Sequence, residues 1–202
     1  MNSKFIEFSF DEITTQIVNG VEQKVLKGMP LKWPSFKKSK ITAKKQCRGI
    51  ITGKKSNITV LDFDDVEEYN NIIVQHPELK NNYTVKSRKG YHIYFLYNAA
   101  LKTGVDCFKS YNKIDIRNDD GFIIAPPTTY KLLNNSIVEY KFLGGELLEI
   151  PEYFINDIGE KPKIKDDTDE EEEEEEDDDN LINQPIELKP KVKEILFLIS
   201  IT

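Results

Sequence analysis

The chain has 202 residues, 39% of them apolar, enough for one domain of ordinary size with a real core. Its two cysteines, Cys47 and Cys107, stand alone without a CxxC or Cys/His cluster, so neither a disulfide framework nor a zinc ribbon is supported, and a reducing compartment follows. No basic stretch precedes an apolar run near Met1 and no stretch of about 18 apolar residues occurs, so the expectation is an intracellular, cytoplasmic protein with no membrane partner.

The net charge of -7 hides a polarity. Of the 14 residues from Asp166 to Asp179, 13 are acidic; the rest of the chain carries 28 basic against 22 acidic residues, about +6, a balance compatible with a polyanionic partner. Only Arg48, Arg88 and Arg117 among the basic residues are arginines, and each lies near one of the motifs described below. Their planar forks suit phosphate in a way lysine cannot match, although a lysine-rich coding bias explains the remaining basic positions without any function.

In chain order, Ile13 to Val18 and Val21 to Leu26 are apolar-rich runs joined by Asn19-Gly20, which predicts a hairpin with a type I′ turn. A lysine-rich loop over 37–45 leads to a short strand from Gly49 to Thr52. Ile58 to Phe63 is a β-branched run ending in carboxylates, and the spacing of Val66, Tyr69 and Ile73 behind an acidic first turn predicts a helix over 66–74. Tyr83 to Val85, Tyr91 to Tyr97, Lys113 to Ile116 and Phe122 to Ala125 read as further strands, with turns at Lys89-Gly90 and Asp120-Gly121. Pro126-Pro127 ends the last of them, Ile137 to Phe142 forms one more, and Leu147 to Phe154 closes the folded unit near Ile158 as a short helix or extended segment. The expected organisation is a catalytic domain over 1–158, a disordered acidic linker over 159–180, and the start of a further element or a docking segment over 181–202.

Three clusters carry chemistry. Leu61-Asp62-Phe63-Asp64 puts two carboxylates on one face of a strand end, close enough to share a hard divalent cation, while Phe63 points into the core. The plainer reading is a strand-to-helix junction in which Asp64 or Asp65 caps the helix. In Ser87-Arg88-Lys89-Gly90-Tyr91-His92, a donor-rich loop suited to phosphate oxygens precedes a histidine that a structural role would otherwise explain. Asp115, between Ile114 and Ile116 on a buried strand, is costly unless it binds a metal or pairs with Arg117 two residues on, and both readings stand. Asp119 and Asp120 read as a turn.

The order Asp-x-Asp, Ser-x-x-Gly-x-His, then an apolar-flanked Asp leading into Pro-Pro resembles the prim-pol (bifunctional DNA primase/polymerase) domains of the archaeo-eukaryotic primase superfamily, similar to those of large DNA viruses and mobile elements. The resemblance runs from about Arg48, through Ile51-Thr52-Gly53 and Ser56, to about Phe142. It implies an α/β (α+β) fold, an N-terminal αβ unit plus an RRM-like unit with the active site in the cleft between them. By that resemblance Asp62, Asp64 and Asp115 are the catalytic, metal-binding carboxylates for two Mg²⁺ or Mn²⁺ ions without zinc; Ser87 and His92 contact the incoming nucleotide, with Arg88, Lys89 and Arg117 as triphosphate clamps. The partners implied are a single-stranded DNA template, NTP or dNTP, and in some relatives a replicative helicase, fused or separate. Lys89 stands where many relatives have a second glycine or small residue. Three other readings compete: a binding module for single strands that keeps the fold without catalysis, another DxD metal enzyme, and an interaction scaffold built on the acidic tail.

Overall fold

Alternating apolar and polar residues dominate the chain, and the computed structural model, which describes residues 5–159, answers mostly with strands. The acidic stretch and the apolar stretch after it, read above as a linker and a further element, lie outside the described residues. β1 (Glu7–Phe10) is followed by the hairpin β2 (Glu12–Val18) and β3 (Val21–Lys27), then by β4 (Cys47–Ile51) and β5 (Ile58–Phe63). Helix α1 (Val66–Gln75) leads to β6 (Tyr83–Lys86), β7 (Tyr91–Leu96), β8 (Ile114–Arg117) and β9 (Phe122–Ala125). β10 (Thr129–Lys131), β11 (Ile137–Glu139), β12 (Lys141–Gly144) and the short helix α2 (Glu152–Asn156) complete a mixed α+β fold rich in strands.

A five-stranded antiparallel sheet in the order β12-β6-β7-β5-β8 is the centre of the molecule. Because side chains alternate along a strand, it presents two different faces. Leu61, Phe63, Ile93, Phe95, Ile114 and Ile116 pack with Ile72 and Ile73 of α1 and Phe154 of α2. Val60, Val85 and Tyr94 pack with Phe8, Phe10, Ile50 and Ile51 of the three-stranded sheet β1-β4-β9. The hairpin turn has positive φ at both Asn19 and Gly20, as a type I′ turn requires.

Several boundaries differ from the sequence reading. The single strand expected over 137–142 is two, β11 paired with β10 and β12 paired with β6. Tyr140 separates them: its ring is buried at 2% exposure and its N–H donates to the Thr128 carbonyl. On α1 the buried residues are Ile72 and Ile73, with Tyr69 packed against them, whereas Val66 stays exposed. β1 and β10 were not legible as strands.

Candidate active site

β5 sends Leu61 and Phe63 to the helix side of the sheet, so Asp62 faces the other way. Register sets its neighbours: Asp62 lies opposite His92 on β7 and opposite Asp115 on β8, placing the three side chains in a row across adjacent strands. His92 Nε2 is 3.2 Å from Asp62 Oδ1, and the ring is buried at 3% exposure, with Nδ1 lacking a hydrogen-bond partner among the described residues. Burial alone would push the Asp62 carboxyl up, but His92, Arg117 and Lys24 together hold it below the usual aspartate range.

Asp64 follows the strand and is exposed. The helix cap is Asp65 instead, whose Oδ1 accepts the Glu67 N–H at 2.8 Å and the Glu68 N–H at 3.4 Å. The plainer reading of this junction, in which Asp64 or Asp65 caps the helix, is met by Asp65, while Asp64 opens onto a cavity.

The loop between β6 and β7 is fastened to itself and to β5. The Ser87 N–H donates to the Gly90 carbonyl at 2.9 Å, and the Gly90 N–H donates to Ser87 Oγ at 3.3 Å. A Cβ at Gly90 would stand 2.1 Å from the Phe63 carbonyl oxygen, so only glycine lets the loop lie against the end of the carboxylate strand. Arg88 forms an ion pair with Glu22 of the hairpin. The Glu22 carboxylate also accepts the Leu133 N–H at 3.1 Å, the main influence holding it below the ordinary glutamate range.

Asp115 is paired on both oxygens: Oδ2 with Arg117 Nη2 at 2.6 Å, Oδ1 with the Asp106 N–H at 2.9 Å. Burial nevertheless pushes its carboxyl above the ordinary value, and the nearby Asp62 and Asp64 push the same way. Arg117 also reaches toward Asp62, Nε to Oδ2 at 3.8 Å, so one guanidinium compensates two carboxylates on adjacent strands. Arg48 does not join this group; its Nη1 donates to the carbonyls of Lys45 and Cys47.

Two adjoining cavities occupy this end of the sheet. A polar one of about 250 Å³ is lined by Asp64, Ser87, Arg88 and Lys89 together with Lys24, Asp62, His92 and Arg117. The second, about 280 Å³, shares Lys24, Asp62, His92 and Arg117 but has apolar walls from Leu26, Phe122, Ile123, Ile124 and Tyr140. Seven of the eight residues singled out in the sequence thus line the polar cavity, and the eighth, Asp115, lies on β8 opposite Asp62 and is paired with Arg117. Sequence reasoning missed Lys24, Leu26, Phe122 and Tyr140. The signal on the hairpin is the period-2 set Glu22, Lys24, Leu26, whose mixed polarity does not mark an inward face.

The divalent ions implied by the resemblance need several oxygen ligands each. Among the described residues no group of three or more His, Cys, Asp or Glu is gathered closely enough to hold one. The donor types are those a hard divalent ion prefers, since Asp62, Asp64 and Asp115 offer only carboxylate oxygens, and a cation, Arg117, already stands between Asp62 and Asp115. No helix among the described residues is long and apolar enough to cross a membrane.

The family model described as bifunctional DNA primase/polymerase, N-terminal, matches residues 32–153, more than half of the chain. The match contains Asp62, Asp64, the Ser87–Gly90 loop, His92, Asp115 and Arg117, and leaves the β2–β3 hairpin outside. Comparison with curated proteins finds no match.

Proposed function

The chain belongs to the Prim-Pol family of bifunctional DNA primase/polymerases, and from that membership we propose that it is a metal-dependent nucleotidyltransferase that makes or extends primers on a single-stranded DNA template during replication. The observation that carries the reading is the pair of adjoining cavities, one polar and one apolar-walled, meeting at Asp62, His92, Lys24 and Arg117. A nucleotide has the same division. Its base and sugar suit the walls formed by Leu26, Phe122, Ile124 and Tyr140, and its phosphates suit the donors Ser87, Arg88 and Lys89. The reacting phosphate then lies at the boundary, beside the carboxylates.

In this reading Asp62 and Asp64 hold the divalent ions, joined by Asp115 once Arg117 turns from it to phosphate. When bound, Mg²⁺ or Mn²⁺ would polarise the attacking 3′-hydroxyl and offset charge on the leaving pyrophosphate. The chain's own residues bind and orient. His92, with Nε2 turned to Asp62, helps keep that carboxylate ionised, and its unpartnered Nδ1 accepts from a sugar hydroxyl in the neutral ring or donates to a phosphate oxygen in the imidazolium. Lys89 and Arg88 supply charge to the triphosphate, and Arg88 becomes available as it exchanges Glu22 for phosphate. The reading extends to a catalytic domain over 1–158, with the family's αβ unit and RRM-like unit meeting at this cleft.

The test is template-dependent synthesis with Mg²⁺ or Mn²⁺, with and without a primer, comparing the native chain with Asp62→Ala plus Asp64→Ala. The double variant is expected to lose about a hundred-fold or more of product. Equal product from both proteins would overturn the proposal, and binding of single strands without any synthesis would leave a non-catalytic module of the same fold.

A further inference from the structure

The β2–β3 hairpin lies outside the residues that match the family, yet it forms one wall of both cavities. On β3 the alternation puts Glu22, Lys24 and Leu26 on one side. Glu22 holds Arg88 and the Leu133 N–H, Lys24 lines both cavities, and Leu26 lines the apolar-walled one. The Leu133 N–H bond to Glu22 ties this strand to the segment that follows β10, and with it the residue two places on.

Lys24 remains exposed as a residue, but its ammonium is withdrawn to 3.3 Å from the hydroxyl of buried Tyr140. Desolvation is the largest influence on it and lowers its pKa from the ordinary lysine value, while Asp62 and Asp64 pull the other way. A phenol oxygen is a poor counterpart for an ammonium held near two carboxylates it does not pair with in a described salt bridge. An anionic oxygen entering at the junction of the cavities would be a better acceptor.

Resting on the nucleotide-binding reading above, we infer that Lys24 is a phosphate contact of the incoming nucleoside triphosphate, delivered to the boundary of the two cavities by a hairpin that is additional to the matched family residues. It is a binding and positioning cation. Lys24 exchanges Tyr140 for a phosphate oxygen when the nucleotide enters, and the hydroxyl of Tyr140 then faces the sugar side of the cleft.

The experiment titrates ATP and dATP against the full chain on a primer–template whose primer lacks a 3′-hydroxyl, for the native protein, Lys24→Met and Lys24→Arg. Lys24→Met should weaken triphosphate binding by about ten-fold or more. Lys24→Arg should recover most of that loss because the charge is kept, and affinity for the primer–template alone should match the native value in both variants. Three results would overturn the inference: native triphosphate affinity in Lys24→Met, an equal loss of primer–template affinity, or Lys24→Arg as weak as Lys24→Met. If the native chain binds triphosphate and synthesises DNA while Lys24→Met is normal, only the assignment of Lys24 fails. A native chain that binds no triphosphate removes both readings.

Discussion

Arg117 is the residue on which the charge balance of the site turns. It sits between Asp62 and Asp115, 2.6 Å from one carboxylate and 3.8 Å from the other, with its side chain 28% exposed. Arg117→Met leaves two partly buried carboxylates on adjacent strands with no cation between them, an arrangement that favours unfolding or protonation. Urea denaturation in metal-free buffer should show a loss of about 1–3 kcal/mol for this variant. Added Mn²⁺ should narrow the gap to the native protein, because the vacated position suits a divalent cation. A gap that Mn²⁺ does not alter would count against the three carboxylates acting together. The sequence allowed Asp115 to be either a metal ligand or a partner of Arg117, and the structure contains the ion pair; a residue i+2 on the same strand face is always within reach, so spacing could not choose.

At the level of elements, the strands that build the site were largely legible. Ile58 to Phe63 is six residues of high β preference, and its ends match β5 residue for residue. What could not be read was partner choice: nothing local says that β5 sits between β7 and β8, since β7 is 28 or more residues downstream of β5 and separated from it by α1 and β6. β1 and β10, of four and three residues, were not read as strands, since neither carries enough alternation to register. The Ser87–Gly90 loop illustrates a middle case. Its turn was evident from Lys89-Gly90, but the need for glycine comes from the Phe63 carbonyl, a contact across the sheet. Gly90→Ala should force the loop off the end of β5, with a stability loss of about 1–3 kcal/mol. Its weaker triphosphate binding should be apparent in the same titration used for Lys24. An alanine variant that melts and binds like the native chain would mean the loop can move aside freely.

For the molecule as a whole, charge is divided along the sequence rather than around the fold. A chain ending at Ile158 keeps 22 basic and 19 acidic residues, a net charge of +3 in place of -7. Template-dependent synthesis is expected to survive that truncation, because every residue lining the two cavities is retained. Its affinity for single-stranded DNA should exceed that of the full chain at low salt, with the difference shrinking as ionic strength rises. Filter binding across a salt series measures this, and loss of synthesis in the shortened chain would assign the acidic region an essential part instead of an electrostatic one.

The row formed by His92, Asp62 and Asp115 exists only in one register of the sheet. Were β5 to slip by a single position, Asp62 would turn toward the oily underside occupied by Ile72 and Phe154, and Leu61 or Phe63 would emerge among the polar groups. Such a misassembled chain forfeits its hydrophobic interior and this row of polar side chains together. Soundness of the sheet and presence of the proposed site are therefore one property, and a polypeptide that has settled wrongly lacks both.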